Sequence, residues 1–392
     1  MSIEIKRISK ECVRPSSPTP SHLKTYKISL LDQFMLATGI PMILYHSNHR
    51  TNLPIGEVIS KRSLVLRQSL SETLTLFYPL AGTVKDNLSI QCNDEVHYIE
   101  ARANKPPLHV CSHMIMDGTA MASFLKAWAA TASSKSSTGT ISPNFDAPSL
   151  FPQHGVFPKE ATAMALCEPF IRTGKLAIQR LVFEASAIAS LKAQATSSSM
   201  KNPTRVEVVS AFLSKRITAM LQAKSIIYHG PIIFAHAVNL RRRALPHSQK
   251  LQWENLFGWH ISLVCKMREA IRKIDSNFAK NIQGDGGIIT VYDRVKEIGR
   301  AFSSAVDYVT ISSWCNFGLY DVDFGWGKPM WVSGVGLSDD STTQFLNKVV
   351  LMDARMEKGI EAWLLLGEGD IAILEKDKEL FAFASLNPSP FN

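Results

Sequence analysis

Apolar positions along the chain form short runs that switch between strand-like alternation and helix-like spacing. From Ser63, Leu66, Leu70, Leu74 and Phe77 recur every three or four residues. This predicts an amphipathic helix stopped by Tyr78-Pro79 and the Ala81-Gly82 turn. Ahead of it, residues 14–27 (RPSSPTPSHLKTYK) are proline-rich and extended or turning, and residues 32–44 carry strand-like positions after a turn signal. Short β-like segments follow at 88–92 and 96–101. A further strand-like run ends in LHVCSH, and beyond Gly118 the residues Met121, Phe124, Leu125 and Trp128 share one face of a helix over 119–132.

Residues 133–160 (SSKSSTGTISPNFDAPSLFPQHGVFPKE) lose all periodicity and have linker composition. They set an expected crossover at 149–167, between a first domain of 1–148 and a second of 168–392. The second half reads as a strand at 181–183, helices at 188–195 and 205–223, and a strand at 232–238 leading into Asn239-Leu240-Arg241. Two strands, 348–352 and 360–366, flank the charged turn DARMEKG. Gly284-Asp285-Gly286-Gly287 is a turn too short to cradle phosphate, and no internal repeat is visible.

Composition bounds the picture. A chain of 392 residues exceeds one ordinary core, so two domains are expected, and 45% hydrophobic with 20% charged residues is typical of soluble globular proteins. MSIEIKRISKEC has no apolar signal core, no run nears the roughly 20 residues that span a bilayer, and PSPFN is no retention tag. The expectation is a cytoplasmic protein with no membrane partner. Six cysteines without a Cys-x-x-Cys read as reduced core residues. The net charge of +9 comes from dispersed basic residues, densest at Arg241-Arg242-Arg243, and no nucleic-acid motif accompanies it. No nucleic-acid partner is expected; a small phosphorylated molecule suits this balance as well as a merely solvated surface does.

His113 and Asp117 stand where a strand-like run gives way to a helix, a place from which a side chain reaches a cleft while a rigid scaffold holds it. Three readings compete: a satisfied histidine in a turn, a metal ligand pair, and a general base whose ordinary pKa of about 6.5 lets it take a proton at neutral pH. No further ligand lies at metal spacing nearby, so no metal is expected. Cys111, two residues earlier, would share the histidine's strand face and is a minor candidate nucleophile. The pair alone leaves the turn and the base both open. Far downstream, Ser312-Ser313-Trp314 precedes Asp323-Phe324-Gly325-Trp326-Gly327, where two glycines supply backbone angles other residues avoid and the indole packs as an anchor. A protein-kinase reading of Asp-Phe-Gly fails, since neither the His-Arg-Asp loop nor a glycine-rich phosphate loop is present.

Taken together, His113-x-x-x-Asp117-Gly118 and Asp323 to Gly327, in this order, resemble the paired signature of the BAHD acyltransferases, plant enzymes that use acyl-CoA. PSSPTP at 15–20, FYPLAG at 77–82, VNLRRR at 238–243, SSWCNFGLYDVDFGWGKP at 312–329 and the LMDAR…GIEAWL run at 351–364 extend the resemblance over nearly the whole chain, with the vinorine synthase-like branch the nearest in flavour. The resemblance implies a two-domain α/β fold of the chloramphenicol-acetyltransferase type, with mixed sheets flanked by helices and a channel between the domains. It implies an acyl-CoA-dependent O-acyltransferase, acetyl favoured, acting on a hydroxyl of a specialised metabolite such as an alkaloid or terpenoid alcohol.

Residue by residue, it implies His113 as general base with Asp323 grouped beside it, and Ser312 and Trp314 steadying the tetrahedral intermediate. Asp117, paired with Arg241, would support the site with Gly118, Gly325, Trp326 and Gly327. The expected complex is ternary, formed by a monomer with no permanent cofactor, acyl-CoA serving as co-substrate. Two departures stand out. Residues 101–108 (ARANKPPL) pass almost straight to the histidine motif where the family has a variable loop and at least one further strand, so the first domain is shortened there. Glu254-Asn255 also stands where a Gly-Asn pair is usual. The alternative is therefore a catalytically impaired paralog or splice form that binds a metabolite or a protein.

Overall fold

A computed structural model describes residues 5–35, 39–48, 53–86, 88–103, 109–112, 115–133, 142–155, 168–198, 200–224, 230–240, 251–256, 267–269, 272–303, 307–334, 343–355 and 358–389. It has an α/β architecture of mixed sheets and helices in two compact units. The first comprises Met1–Phe157 and Phe317–Asp339, the second Pro158–Asn316 and Asp340–Pro390. One boundary differs from the sequence division. The segment with Asp323 to Gly327, assigned above to the second domain, belongs to the first unit. The physical reason is burial: Val322 and Phe324 pack with Ala129, on a helix of that unit.

In the first unit, β1 (Ile5–Val13) pairs antiparallel with β6 (Val96–Ala103), and β2 (Thr25–Lys27), β4 (Thr83–Lys85) and β5 (Ser89–Gln91) make a small sheet in the order β2-β5-β4. The strand expected over 32–44 is shorter. Residues Leu30–Gln33 form one helical turn (α1), because the Ser29 hydroxyl accepts from the Asp32 N–H, and the strand β3 is Gly39–Tyr45. β3 is flanked on one edge by β7 (His109–Ser112) and on the other by β13 (Trp331–Ser333). Two helices pack beside these sheets, α2 (Ile55–Leu76) and α3 (Gly118–Ala132). The Trp128 indole N–H ties them, donating to the Leu66 carbonyl at 3.2 Å and the Ser69 hydroxyl at 3.0 Å.

The second unit is built on a seven-stranded mixed sheet. Its strands are β9 (Leu176–Phe183), β10 (Ile232–Asn239), β11 (Leu251–Leu256), β12 (Asp307–Ser313), β15 (Asn347–Asp353), β16 (Ile360–Gly367) and β17 (Ser385–Leu386), in the order β11-β10-β12-β15-β16-β9-β17. A two-stranded ribbon, β8 (Arg172–Gly174) with β14 (Thr343–Phe345), lies beside it in the chain. Side chains alternate across a strand. Val309, Ile311, Val349 and Leu364 therefore share one face, buried with Val209, Leu213 and Ile217 of α5 (Arg205–Lys224) and Ile188 and Leu191 of α4 (Ala185–Ala195). Beyond α6 (Gly287–Ser303), the chain ends in α7 (Glu368–Leu374) and α8 (Lys378–Phe381).

Several buried charges in the second unit are partnered. Arg172 meets both Asp307 and Asp370, Lys224 also reaches Asp370, and the buried Arg180–Glu361 pair is 2.9 Å apart. Such pairs cost desolvation and persist where geometry and hydrogen bonds compensate it. Among the described residues no helix is long and apolar enough to cross a membrane, and no three His, Cys, Asp or Glu side chains converge to hold a metal.

Candidate active site

His113, Met114 and Arg241 lie outside the described residues, but the frame on each side of the histidine is described. β7, the strand running into it, pairs antiparallel with β3 from Met42↔His109 to Gly39↔Ser112. Downstream, Met116 and Asp117 are buried, and Asp117 is the N-cap of α3. Its Oδ1 accepts from the Ala120 N–H at 2.8 Å, satisfying one of the donors a helix start leaves open, and its negative charge suits the positive end of the helix. Gly118 is the first residue of that helix. The sequence thus places the histidine between a paired strand end and a capped helix start.

The loop from Asp323 to Gly327 is organised by its own aspartate. Asp323 Oδ1 accepts from the N–H groups of both Gly325 and Gly327, each at 2.9 Å. These two glycines have φ of 105° and 104°, angles that L side chains rarely adopt. That turn throws Phe324 and Trp326 to one side, where they stack with centroids 5.7 Å apart. Trp128 of α3 meets Phe324 edge-on at 5.2 Å, and the Arg62 guanidinium of α2 lies 5.0 Å over the Trp326 ring. After the loop, the Met330 N–H donates to the Tyr45 carbonyl at 2.7 Å, Trp331 stacks on Tyr45, and β13 runs along β3 from Trp331↔Tyr45 to Ser333↔Ile43.

β3 and α3 therefore both reach from one motif to the other. Ser112 stands opposite the first residue of β3 and Trp331 opposite its last, a separation of about 20 Å at ~3.3 Å per residue. The fifteen residues of α3 give a similar span, with Asp117 at one end and the Gly325 turn beside Ser133 at the other. Asp323, grouped on sequence with the base, thus sits at the far end of this frame with Oδ1 engaged by its own loop.

Sequence reading missed His46, the residue following β3. Its Nδ1 is 3.1 Å from the Gly327 carbonyl oxygen, and its ring meets Phe324 and Trp326 edge-on at 6.1 and 6.2 Å. A carbonyl only accepts, so Nδ1 carries the proton. Burial, with Arg62 adding to it, holds the imidazole below its ordinary pKa, against the opposing pull of the Gly327 bond and Asp323. No periodicity or spacing marks His46 or Arg62; only the fold joins them to a loop some 280 residues on.

Ser312 and Trp314 belong to the second unit, at the end of β12. Ser312 pairs with Val350 and, by alternation from Ile311, faces away from α4 and α5. Trp314 is 9% exposed, and its backbone N–H donates to the Leu351 carbonyl at 2.7 Å. Next to it, the Asn316 N–H donates to Asp353 Oδ2 at 2.7 Å, and Arg205 bonds both Asp353 and the Asn316 side chain. The backbone leaving this serine and indole is therefore held firmly. On the same sheet face, burial depresses the pKa of Lys348 on β15.

The chain is similar to epi-neemfruitin B 7-O-acetyltransferase of Melia azedarach, 41% identical with 99% of this chain and 100% of that protein covered. It is 40% identical to limonoid 7-O-acetyltransferase of Citrus sinensis, over 99% of this chain and 100% of that protein. Among solved structures, vinorine synthase superposes with a TM-score of 0.74 at 28% identity, over 97% of this chain and 99% of that one. F. graminearum TRI101 complexed with coenzyme A and deoxynivalenol matches in fold, with a TM-score of 0.67 at 16% identity, over 93% and 100% of the two chains. The sequence profile of the Transferase family matches residues 1–110 and 109–381, in two pieces that meet where the sequence passes abruptly to the histidine motif. With that match over most of its length and acetyltransferase relatives at this identity, the chain is an acyltransferase and belongs to the Transferase family, the BAHD acyltransferases.

Proposed function

We propose that this acyltransferase moves an acetyl group from acetyl-CoA to a hydroxyl of a plant specialised metabolite, a limonoid-type alcohol first and an alkaloid alcohol next. The names of the 41% and 40% identical relatives, both 7-O-acetyltransferases, favour the former; the 31% identical vinorine synthase of Rauvolfia serpentina favours the latter. One observation carries the reading. The strand entering His113 and the cap leaving it are both built, despite the shortened segment ahead of them.

The mechanism follows from the chemistry of an alcohol and a thioester. His113, as general base, removes the hydroxyl proton as oxygen attacks the thioester carbonyl. The developing oxyanion is assigned the Ser312 hydroxyl as donor, with Trp314 as its companion in steadying the intermediate; loss of one such donor costs about 2.7–4 kcal/mol. The tetrahedral intermediate collapses, the C–S bond breaks, and CoA leaves as the thiol with the proton from the imidazolium. Both substrates are bound together and no acyl-enzyme forms, so holding them adjacent supplies much of the rate. Asp117 and Asp323 act on the frame, not on substrate.

Incubation with acetyl-CoA and a panel of limonoid and alkaloid alcohols, followed by free-thiol release, tests this. His113→Ala is expected to lower kcat by about 10²–10⁴-fold; a variant as active as the parent would remove the assigned base. A second reading has its own motivation. The alignment to the Melia relative runs over 454 positions against 392 residues here, so this chain carries gaps where the relative has sequence. A member that binds CoA or a metabolite without turnover would show saturable CoA binding and no thiol release with any acceptor.

A further inference from the structure

We propose that His46 is a positioning residue for the acyl transfer: its Nδ1–H pins the Gly327 carbonyl and its ring braces Phe324 and Trp326, and this latch fixes the frame that presents the histidine motif. The inference rests on the acyltransferase reading and extends it to a residue outside both signature motifs. Three elements meet at the latch. β3 ends in Tyr45 and delivers His46; the loop presents the Gly327 carbonyl and the stacked Phe324–Trp326 pair; α2 lays Arg62 over the same indole. Through Phe324 the loop grips Trp128 of α3, whose opposite end is capped by Asp117. Through Tyr45 and β3 it is joined to β7, which runs straight into residue 113. The latch thus closes one end of a frame whose other end is the histidine motif. Displacement of about 1 Å at a reacting group costs up to 10²-fold in rate even when its origin is remote.

The bond also selects a chemical form. Nδ1 must donate, so in the neutral ring Nε2 is the unprotonated nitrogen, and that atom is buried with no hydrogen-bonding partner among the described residues. Protonation would place a cation in a part-buried site with Arg62 nearby, a cost that the Gly327 carbonyl and Asp323 offset only in part. Burial therefore holds the ring's pKa below the ordinary histidine value, and acid conditions load the latch with charge.

Long-range ¹H–¹⁵N spectra of histidine-labelled protein read the form directly. The expected signature is an Nδ1–H tautomer in the neutral ring, titrating below the ordinary histidine value; a neutral ring in the Nε2–H tautomer would overturn the latch. Kinetics read its consequence. His46→Leu removes the donor and is expected to lower kcat at least tenfold while KM for acetyl-CoA and for the alcohol stays within threefold. His46→Asn restores an N–H at a similar position and is expected to recover kcat to within threefold of the parent. Equal kcat in His46→Leu and the parent, per folded molecule, would reduce His46 to packing, and an Asn variant as impaired as the Leu variant would remove the hydrogen bond from the account. A parent protein that released no thiol with any alcohol would instead sink the acyltransferase reading, and the tautomer measured on that sample would still decide whether the latch exists.

Discussion

A single carboxylate oxygen, Asp323 Oδ1, receives two backbone N–H groups, and the glycines that turn them inward occupy angles costly to other residues. Removing that acceptor breaks both bonds, one exposed and one part-buried. Asp323→Ala is expected to cost about 1–3 kcal/mol, while Asp323→Asn keeps an oxygen at the same place and is expected to lose less than half as much. Denaturant midpoints at unchanged slope check this; equal losses in the two variants would mean that the oxygen does not organise the loop. The glycine requirement and the anchoring indole were legible in Gly325-Trp326-Gly327, because each rests on local geometry. The aspartate's own work was not. Its acceptor role depends on a turn that only coordinates display, and its distance from the histidine depends on strand register.

Elements were readable where burial is one-sided. The face of Met121, Phe124, Leu125 and Trp128 announced α3, and the same logic found α4, α5, β15 and β16 to within a few residues. It failed where periodicity is blurred. α2 begins at Ile55, well before Ser63, because exposed Ile55, Ile59 and Leu64 break the apolar stripe over its first turns. β1, reading IKRISKECV, hides behind its charges, and its partner β6 lies some 90 residues away. β12 was missed because Asp307 to Thr310 are buried on both faces, which removes alternation.

The neighbouring strand carries a consequence for pH. His236 on β10 is buried, its Nε2 has no hydrogen-bonding partner among the described residues, and burial pushes its pKa down to about 4. Folding therefore favours the neutral ring. Its contribution to stability is complete above the unfolded value of about 6.5 and is lost as the pH falls from there through about 4, roughly 3 kcal/mol in all. Stability measured between pH 7 and 4.5 should fall less steeply in His236→Gln; identical slopes would mean that this ring does not titrate on unfolding.

At the scale of the whole molecule, the second signature motif returns to the first unit. Residues 317–339 leave the second unit after Asn316 and re-enter it at Asp340. No local pattern in the sequence foretells this, since Val322 and Phe324 look alike whichever core receives them. The two-unit organisation was legible from length, and the α/β class from the family resemblance that the two motifs carry. A native-state ligand raises the melting point by mass action, so CoA at a hundred times its Kd is expected to add about 2.7 kcal/mol, a shift of a few degrees. A melting curve unmoved by millimolar CoA would argue against a donor site in this shortened chain.

The two edges of β3 are both supplied with partners in spite of that shortening. The strand that pairs with β7 lies upstream of residues 101–108, so the docking partner is encoded ahead of that segment. Because β3 is also stitched to β13, a one-residue slip on either side would flip side chains to the wrong surface. Both motifs consequently inherit a common phase, and neither can drift without dragging the other along.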